Sequence, residues 1–159
     1  MARVGILNFR GTGATVYYNV DAAVGDGCPN QREDVLLVQY LLKTAMTLPQ
    51  FADLPGTAGK NTSSAVVVDG QWDKEWYVYL RNFQHLVKMH GHSVYVDGRV
   101  DPVPLGDRWT GSISQTQYTI LYLNNAYAAA HPGDISRLAL AGDCPAELSH
   151  LKVRFAGAN

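Results

Sequence analysis

The chemistry most open to the sequence at first sight is metal binding. His85, His90 and His92 lie close together, and His90-Gly-His92 is a possible zinc ligand pair. A zinc centre needs three or four ligands and an outer shell to orient them. We read these residues instead as surface histidines at a helix C-terminus, where the helix dipole favours them. The run GTAGKNT, Gly56 to Thr62, only faintly resembles a phosphate-binding loop. Its first glycine is misplaced, its lysine precedes Asn61, and no strand leads into it. No serine sits in a Gly-x-Ser-x-Gly elbow, and the carboxylates of Asp69 and Asp97 are committed to turns. The expectation is a protein that is not an enzyme, with no catalytic residue, no metal and no cofactor.

Cys28 in GDGCPN and Cys144 in GDCPAE each occupy a turn-like segment, far apart in the chain. They are either two unrelated free thiols or one bridge joining the N-terminal region to the tail, a choice that rests on Cα separation. Thirteen Lys and Arg against fourteen Asp and Glu leave a net charge of −1. No basic stripe is visible, which argues against a nucleic-acid partner. No apolar run approaches the roughly 18 residues of a membrane helix, so no membrane partner is expected. The start, MARVGILNFRGTG, shows no apolar signal-peptide core. The chain then stays in the cell, leaves by a route that the sequence does not encode, or has lost its signal.

The 159 residues suit a single domain. We divide it into an N-terminal hairpin and loop (1–29), a helical core (30–131) and a C-terminal extension (132–159). RVGILNF and ATVYYNV flank RGTG and read as a β-hairpin. Asn30 is expected to cap a first helix with Glu33 completing a capping box, Val35, Val38, Leu42 and Ala45 forming its stripe, and Pro49 ending it. Phe51 to Ser64 reads as a long loop. A second helix is expected over Asp73–Met89, burying Trp76, Tyr79, Leu80, Phe83 and Val87, with Gly91 just past its end. A third is expected from a Ser112 or Ser114 cap through Tyr118, Leu121, Tyr122 and Asn125 to Ala130. Ile135–Ala141 suggests a short helix. The alternation of Leu151, Val153 and Phe155 suggests a strand that joins the hairpin, because two strands alone are marginal in water.

Two short runs repeat. VDGQWD (Val68–Asp73) and VDGRVD (Val96–Asp101) each place Asp-Gly behind a valine and an apolar residue, Trp72 or Val100, two places on. Each is a tight turn in which glycine supplies positive φ and aspartate bonds the backbone beyond it. The turns Asp69-Gly70 and Asp97-Gly98 each lead into a helix.

This order resembles the bacterial peptidoglycan-binding domain family. The likeness lies in Val35, Val38, Gln39 and Leu42 of the first helix, in Asp69, Gly70 and Trp72, in Phe83-Gln84, and in Val96, Asp97, Gly98, Val100 and Pro102. It covers roughly residues 30–130. Asp73 and Asp101 stand where the family has a second glycine, and Trp76 where it usually has threonine. The fold implied is mainly α: a three-helix bundle of the peptidoglycan-binding type, with a small antiparallel sheet added by the hairpin and the tail.

The resemblance implies a non-catalytic module that binds cell-wall glycan or stem peptide, placed at the cell envelope or outside the cell. Sugar faces stack on aromatic rings, and bidentate arginine holds carboxylates. The ligand-binding candidates are Tyr77, Arg81, Tyr95, Arg99 and Trp109, with Trp72 and Trp76 read as core. The alternative is a self-assembling structural subunit of a filament, a phage-like particle or an injection machine. Its partners would be copies of itself or other subunits. The hairpin and tail would supply edges, and Tyr77, Tyr122 and Tyr127 an aromatic interface.

Overall fold

The computed structural model describes residues 1–9, 13–51, 66–104, 116–132 and 135–152. The chain runs through β1 (Arg3–Phe9), β2 (Gly13–Asn19), β3 (Val24–Gly25), α1 (Arg32–Ala45), α2 (Lys74–Met89), β4 (Arg99–Val100) and α3 (Thr119–Ala130). Short 3-10 helices occupy Pro49–Phe51, Ile135–Leu140 and Ala146–Leu151. Among the described residues the architecture is mixed, about 50% helical, with two small two-stranded antiparallel sheets. Among the described residues, no helix is long and apolar enough to cross a membrane.

α1 is the centre of the core. Its residues from Asp34 to Leu42 are all buried, with Val35, Leu37, Val38, Leu41 and Leu42 fully inaccessible. α3 packs along it, and α2 contributes Trp76, Tyr79, Leu80, Phe83 and Val87 on one stripe. α2 carries polar residues on its outer side, so it is amphipathic, whereas α1 is enclosed nearly all round. The hairpin β1–β2 pairs from Arg3↔Asn19 to Phe9↔Gly13. It docks through Tyr18, fully buried, whose backbone N–H donates to Asn124 Oδ1 at 2.7 Å while Asn124 Nδ2 donates to the Tyr18 carbonyl at 2.8 Å. Asn124 thus takes the place of a neighbouring strand at that point of the β2 edge.

Several expectations give way to the structure. Asn30 is not the cap of α1. It holds a positive φ of 46°, and its carboxamide bonds both the N–H and the C=O of Gly25. Gln31 takes the cap position without a side-chain capping bond, its Oε1 accepting instead from the N-terminal ammonium at 2.9 Å. The first turn is anchored instead by buried Asp34, which accepts from the Asp21 and Ala22 N–H groups at 3.0 Å. Asp73 has an extended backbone, and its carboxylate caps α2 by accepting from Glu75 and Trp76 N–H. Gly91 ends α2 as expected, with φ 89°. Its N–H bonds Lys88 O and the His92 N–H bonds Val87 O, which is a Schellman arrangement.

α3 starts at Thr119, with Tyr118 outside it; Ser112 and Ser114 lie outside the described residues. The hairpin gains no third strand among the described residues, because Leu151 belongs to a 3-10 helix, and Val153 and Phe155 lie beyond them. His150 nevertheless reaches the N-terminal strand's start, its Nε2 lying 3.1 Å from the Ala2 carbonyl. The second sheet, β3 with β4, was not foreseen: it joins the loop after the hairpin to the second Asp-Gly turn, pairing Val24↔Val100 and Gly25↔Arg99.

Candidate functional site

The two Asp-Gly turns are built alike. Gly70 and Gly98 hold φ of 76° and 69°, as a tight turn requires. In each, the aspartate carboxylate accepts from the N–H two residues on, Gln71 at 2.9 Å and Arg99 at 3.0 Å. Each turn is then fastened by a fully buried glutamine of an earlier helix. Gln39 Oε1 accepts from the Asp69 and Gly70 N–H groups at 3.2 and 2.8 Å, and its Nε2 donates to Gln71 O at 2.8 Å and to Asp69 Oδ1 at 3.3 Å. Gln84 does the same at Asp97, Gly98 and Arg99, at 3.1, 2.8 and 2.9 Å, and adds the Thr119 hydroxyl of α3 at 3.0 Å. Glutamine is seldom fully buried, and here its donors and acceptors are all used. Val100 is fully buried, as expected, while Trp72 is half-buried and its Nε1 reaches Asp26.

The second corner divides the candidate ligand residues between two depressions. On one side lies a groove of about 280 Å³ lined by Tyr77, Val78, Arg81, Asn82, His85 and Val96. Tyr77, Arg81 and His85 recur every four residues and so lie along one face of α2. The Tyr77 ring lies against Gly98 so closely that a Cβ there would fall 2.2 Å from ring carbon Cε2. The Arg81 guanidinium stands 5.9 Å from the centre of that ring, within cation–π range. Arg81 is exposed and has no carboxylate partner among the described residues.

On the other side, a smaller cleft of about 90 Å³ holds Tyr95, Asp97, Arg99 and Asp101 against the residues before α3. Tyr95 is 59% exposed and presents a free aromatic face. Arg99 is already engaged: its Nε donates to Asp101 Oδ1 at 2.8 Å, and this carboxylate raises the guanidinium's pKa further. It is therefore a poor carboxylate receptor. Trp109 lies outside the described residues.

Tyr122 and Tyr127, expected at an exposed interface, are buried, and Tyr77 is half-buried. Tyr40 donates to Asp143 at 2.8 Å, and burial together with that bond raises its pKa. Burial and the Glu75 hydrogen bond push Tyr79 up to about 12. Cys28 and Cys144 are both free thiols, held in different surroundings: Cys28 near Arg99 and the turn carboxylates, Cys144 beside Asp143. Burial pushes the Cys144 thiol up to about 11. The His92 ring lies tilted against Tyr122 with centroids 5.3 Å apart, and the described residues contain no cluster of three or more His, Cys, Asp or Glu suited to a metal ion.

The role of Gln39 and Gln84 as fasteners was not read from the sequence. The available signal was a glutamine on the buried stripe of each helix that precedes an Asp-Gly turn. No protein-family model, curated protein or solved structure matches the chain.

Proposed function

We propose that the chain is a non-catalytic wall-binding module related to the peptidoglycan-binding domains, its helices α1, α2 and α3 forming that family's bundle. It would take the peptide stem of the wall in the groove beside the second corner. The observation that carries this reading is Arg81: an exposed guanidinium without a carboxylate partner among the described residues, held over the Tyr77 ring, with His85 one turn further along the same groove. A peptide carboxylate would gain a charge-assisted bond there, and its side chain would pack on Tyr77 and Val78. The two glutamine-fastened Asp-Gly corners, in the order seen in that family, support the kinship. Co-sedimentation with purified sacculi tests it. Pelleting that weakens with salt and is lost in Arg81→Gln is expected; no pelleting at any salt concentration refutes the reading.

A second reading, a subunit that assembles with copies of itself, has one specific observation in its favour. The seven-residue strand β1 has only β2 beside it among the described residues, so its outer edge can accept another strand. A clean monomer at high concentration in size-exclusion chromatography would remove this alternative.

A further inference from the structure

Asp-Gly occurs three times in the chain: Asp26-Gly27, Asp69-Gly70 and Asp97-Gly98. This dipeptide carries a covalent chemistry of its own. The backbone nitrogen of the glycine can attack the side-chain carboxyl carbon of the aspartate before it, because no β-carbon shields that nitrogen. Attack needs a glycine N–H free of a hydrogen bond, a carboxyl group free to swing onto it, and a backbone with room to rearrange. The three pairs share this chemistry and differ in what holds them.

The two corners are locked. Gly70 N–H donates to Gln39 Oε1 and Gly98 N–H to Gln84 Oε1, both at 2.8 Å. Their carboxylates are held as well: Asp69 Oδ1 by the Gln71 N–H and the Gln39 carboxamide, Asp97 Oδ1 by the Arg99 N–H and the Gln84 carboxamide. Asp26-Gly27 has little of this. Both residues are exposed. The Gly27 N–H has no hydrogen-bond partner among the described residues, and nothing beyond its chain neighbours comes within 4 Å of where a Cβ would stand. The Asp26 carboxylate has one hydrogen-bond partner among the described residues, the Trp72 indole Nε1 at 3.3 Å.

We infer that Asp26 is a site of spontaneous conversion to isoaspartate, and that the two glutamine-held corners escape the same reaction. The Gly27 nitrogen bonds to Asp26 Cγ and gives up its proton, while a carboxyl oxygen leaves as water and a five-membered succinimide closes. Water then opens the ring. Breaking the Cγ–N bond restores aspartate. Breaking the bond from nitrogen to the main-chain carbonyl carbon leaves the chain running through Cγ, with one extra methylene and a free α-carboxylate. The water lost is regained, so mass is unchanged and no oxidant or reductant takes part. The position gives the change a structural effect. Asp26 directly follows β3, whose Gly25 pairs with Arg99 and packs so closely that a Cβ there would fall 2.7 Å from the Gly98 carbonyl oxygen. Cys28 N–H closes the turn onto Gly25 O at 3.1 Å. The extra methylene enters the bend that seats β3 against the second corner.

The test needs only the full chain and is independent of what the Arg81 groove binds. One sample is held folded for several weeks at physiological temperature and mildly acid pH, where a protonated carboxyl readily loses its oxygen as water. A second is held in guanidinium chloride. Peptide mapping with electron-transfer fragmentation, which tells isoaspartate from aspartate, gives the rate at each of the three sites. Each folded rate is divided by the same site's rate in denaturant, which removes the influence of neighbouring residue types. At Asp26 the ratio should stay close to one. At Asp69 and Asp97 it should fall at least about tenfold, because attack there must await a local opening that breaks several hydrogen bonds. Gly27→Ala should slow the reaction at Asp26 severalfold and leave the corners unchanged. Suppression at Asp26 as strong as at the corners overturns the proposal. So do corners that react as fast as Asp26, or a rate at Asp26 indifferent to Gly27→Ala.

Discussion

The Gln84 carboxamide encloses the Asp97 turn. Its oxygen accepts from the Asp97 and Gly98 N–H groups, and its nitrogen reaches the Asp97 carboxylate, the Arg99 carbonyl and the Thr119 hydroxyl. One buried side chain therefore ties α2, the corner and α3 together. Gln84→Leu keeps much of the volume and strands these backbone groups. At about 1–3 kcal/mol for each buried group left unpaired, it should destabilise the chain by about 3 kcal/mol or more. Gln39→Leu lacks the link to a third element and should cost less. Urea unfolding of both variants checks the order; equal or negligible losses would contradict it.

Gly98→Ala meets two obstacles, a φ of 69° and a Cβ 2.2 Å from the Tyr77 ring. Gly27 has a similar φ of 71° with nothing within 4 Å. Gly27→Ala should cost about 1 kcal/mol for the backbone alone. Gly98→Ala should cost clearly more and should also disturb the Arg81 groove. Thermal melts of the pair separate conformational strain from the clash, and similar losses would show that Tyr77 yields easily.

Asp73 caps α2 through two N–H groups at 2.9 and 3.0 Å. Asp73→Ala should cost about 1 kcal/mol, and Asp73→Ser should recover most of it. Chemical denaturation of the three chains decides it. A loss in the serine variant as large as in the alanine variant would mean that the charge, and not the cap, matters.

Alkaline pH should weaken the fold. Cys144 rises from 9.0 to about 11 and Tyr79 from 10.0 to about 12, mainly through burial. A raised acid pKa means that the unfolded chain loses its proton first. The stabilisation is complete below the unfolded value and is lost as pH climbs through the folded one. The window is therefore about 9 to 11 for Cys144 and 10 to 12 for Tyr79. Cys144→Ser should flatten the first part of the stability–pH curve and Tyr79→Phe the second. Curves parallel to that of the parent chain would count against both shifts.

Arg81 is exposed, so Arg81→Gln should change stability by less than about 0.5 kcal/mol. Loss of sacculus binding in that variant would then reflect a lost contact and not a lost fold. Circular dichroism beside the pelleting assay separates the two.

α1 and α2 were legible because their apolar residues recur at helical spacing, and the Asp-Gly corners because glycine marks positive φ. The capping role of Asn30 was misread, since a good cap residue is also a good left-handed turn residue, and here its carboxamide was spent on Gly25. The β3–β4 pair escaped notice because two residues carry no periodicity. Of the tail alternation only Leu151 lies among the described residues, and there it joins Leu148 in anchoring a 3-10 helix, where spacing by three also buries one side. Of the candidate ligand residues, spacing alone placed Tyr77 and Arg81 on one face. It gave no warning that Arg99 was already paired with its neighbour Asp101.

Thirty residues separate Gln39 from the corner it holds, and thirteen separate Gln84 from the other. The intervening chain does not set the geometry of either bend, because the grip comes from the helix and closes on the bend directly. Stretches between the two can lengthen at small entropic cost. Inserts there, such as a reporter peptide or a second recognition loop, should leave the scaffold standing, which makes this span the natural place for related chains to diverge and for engineers to graft.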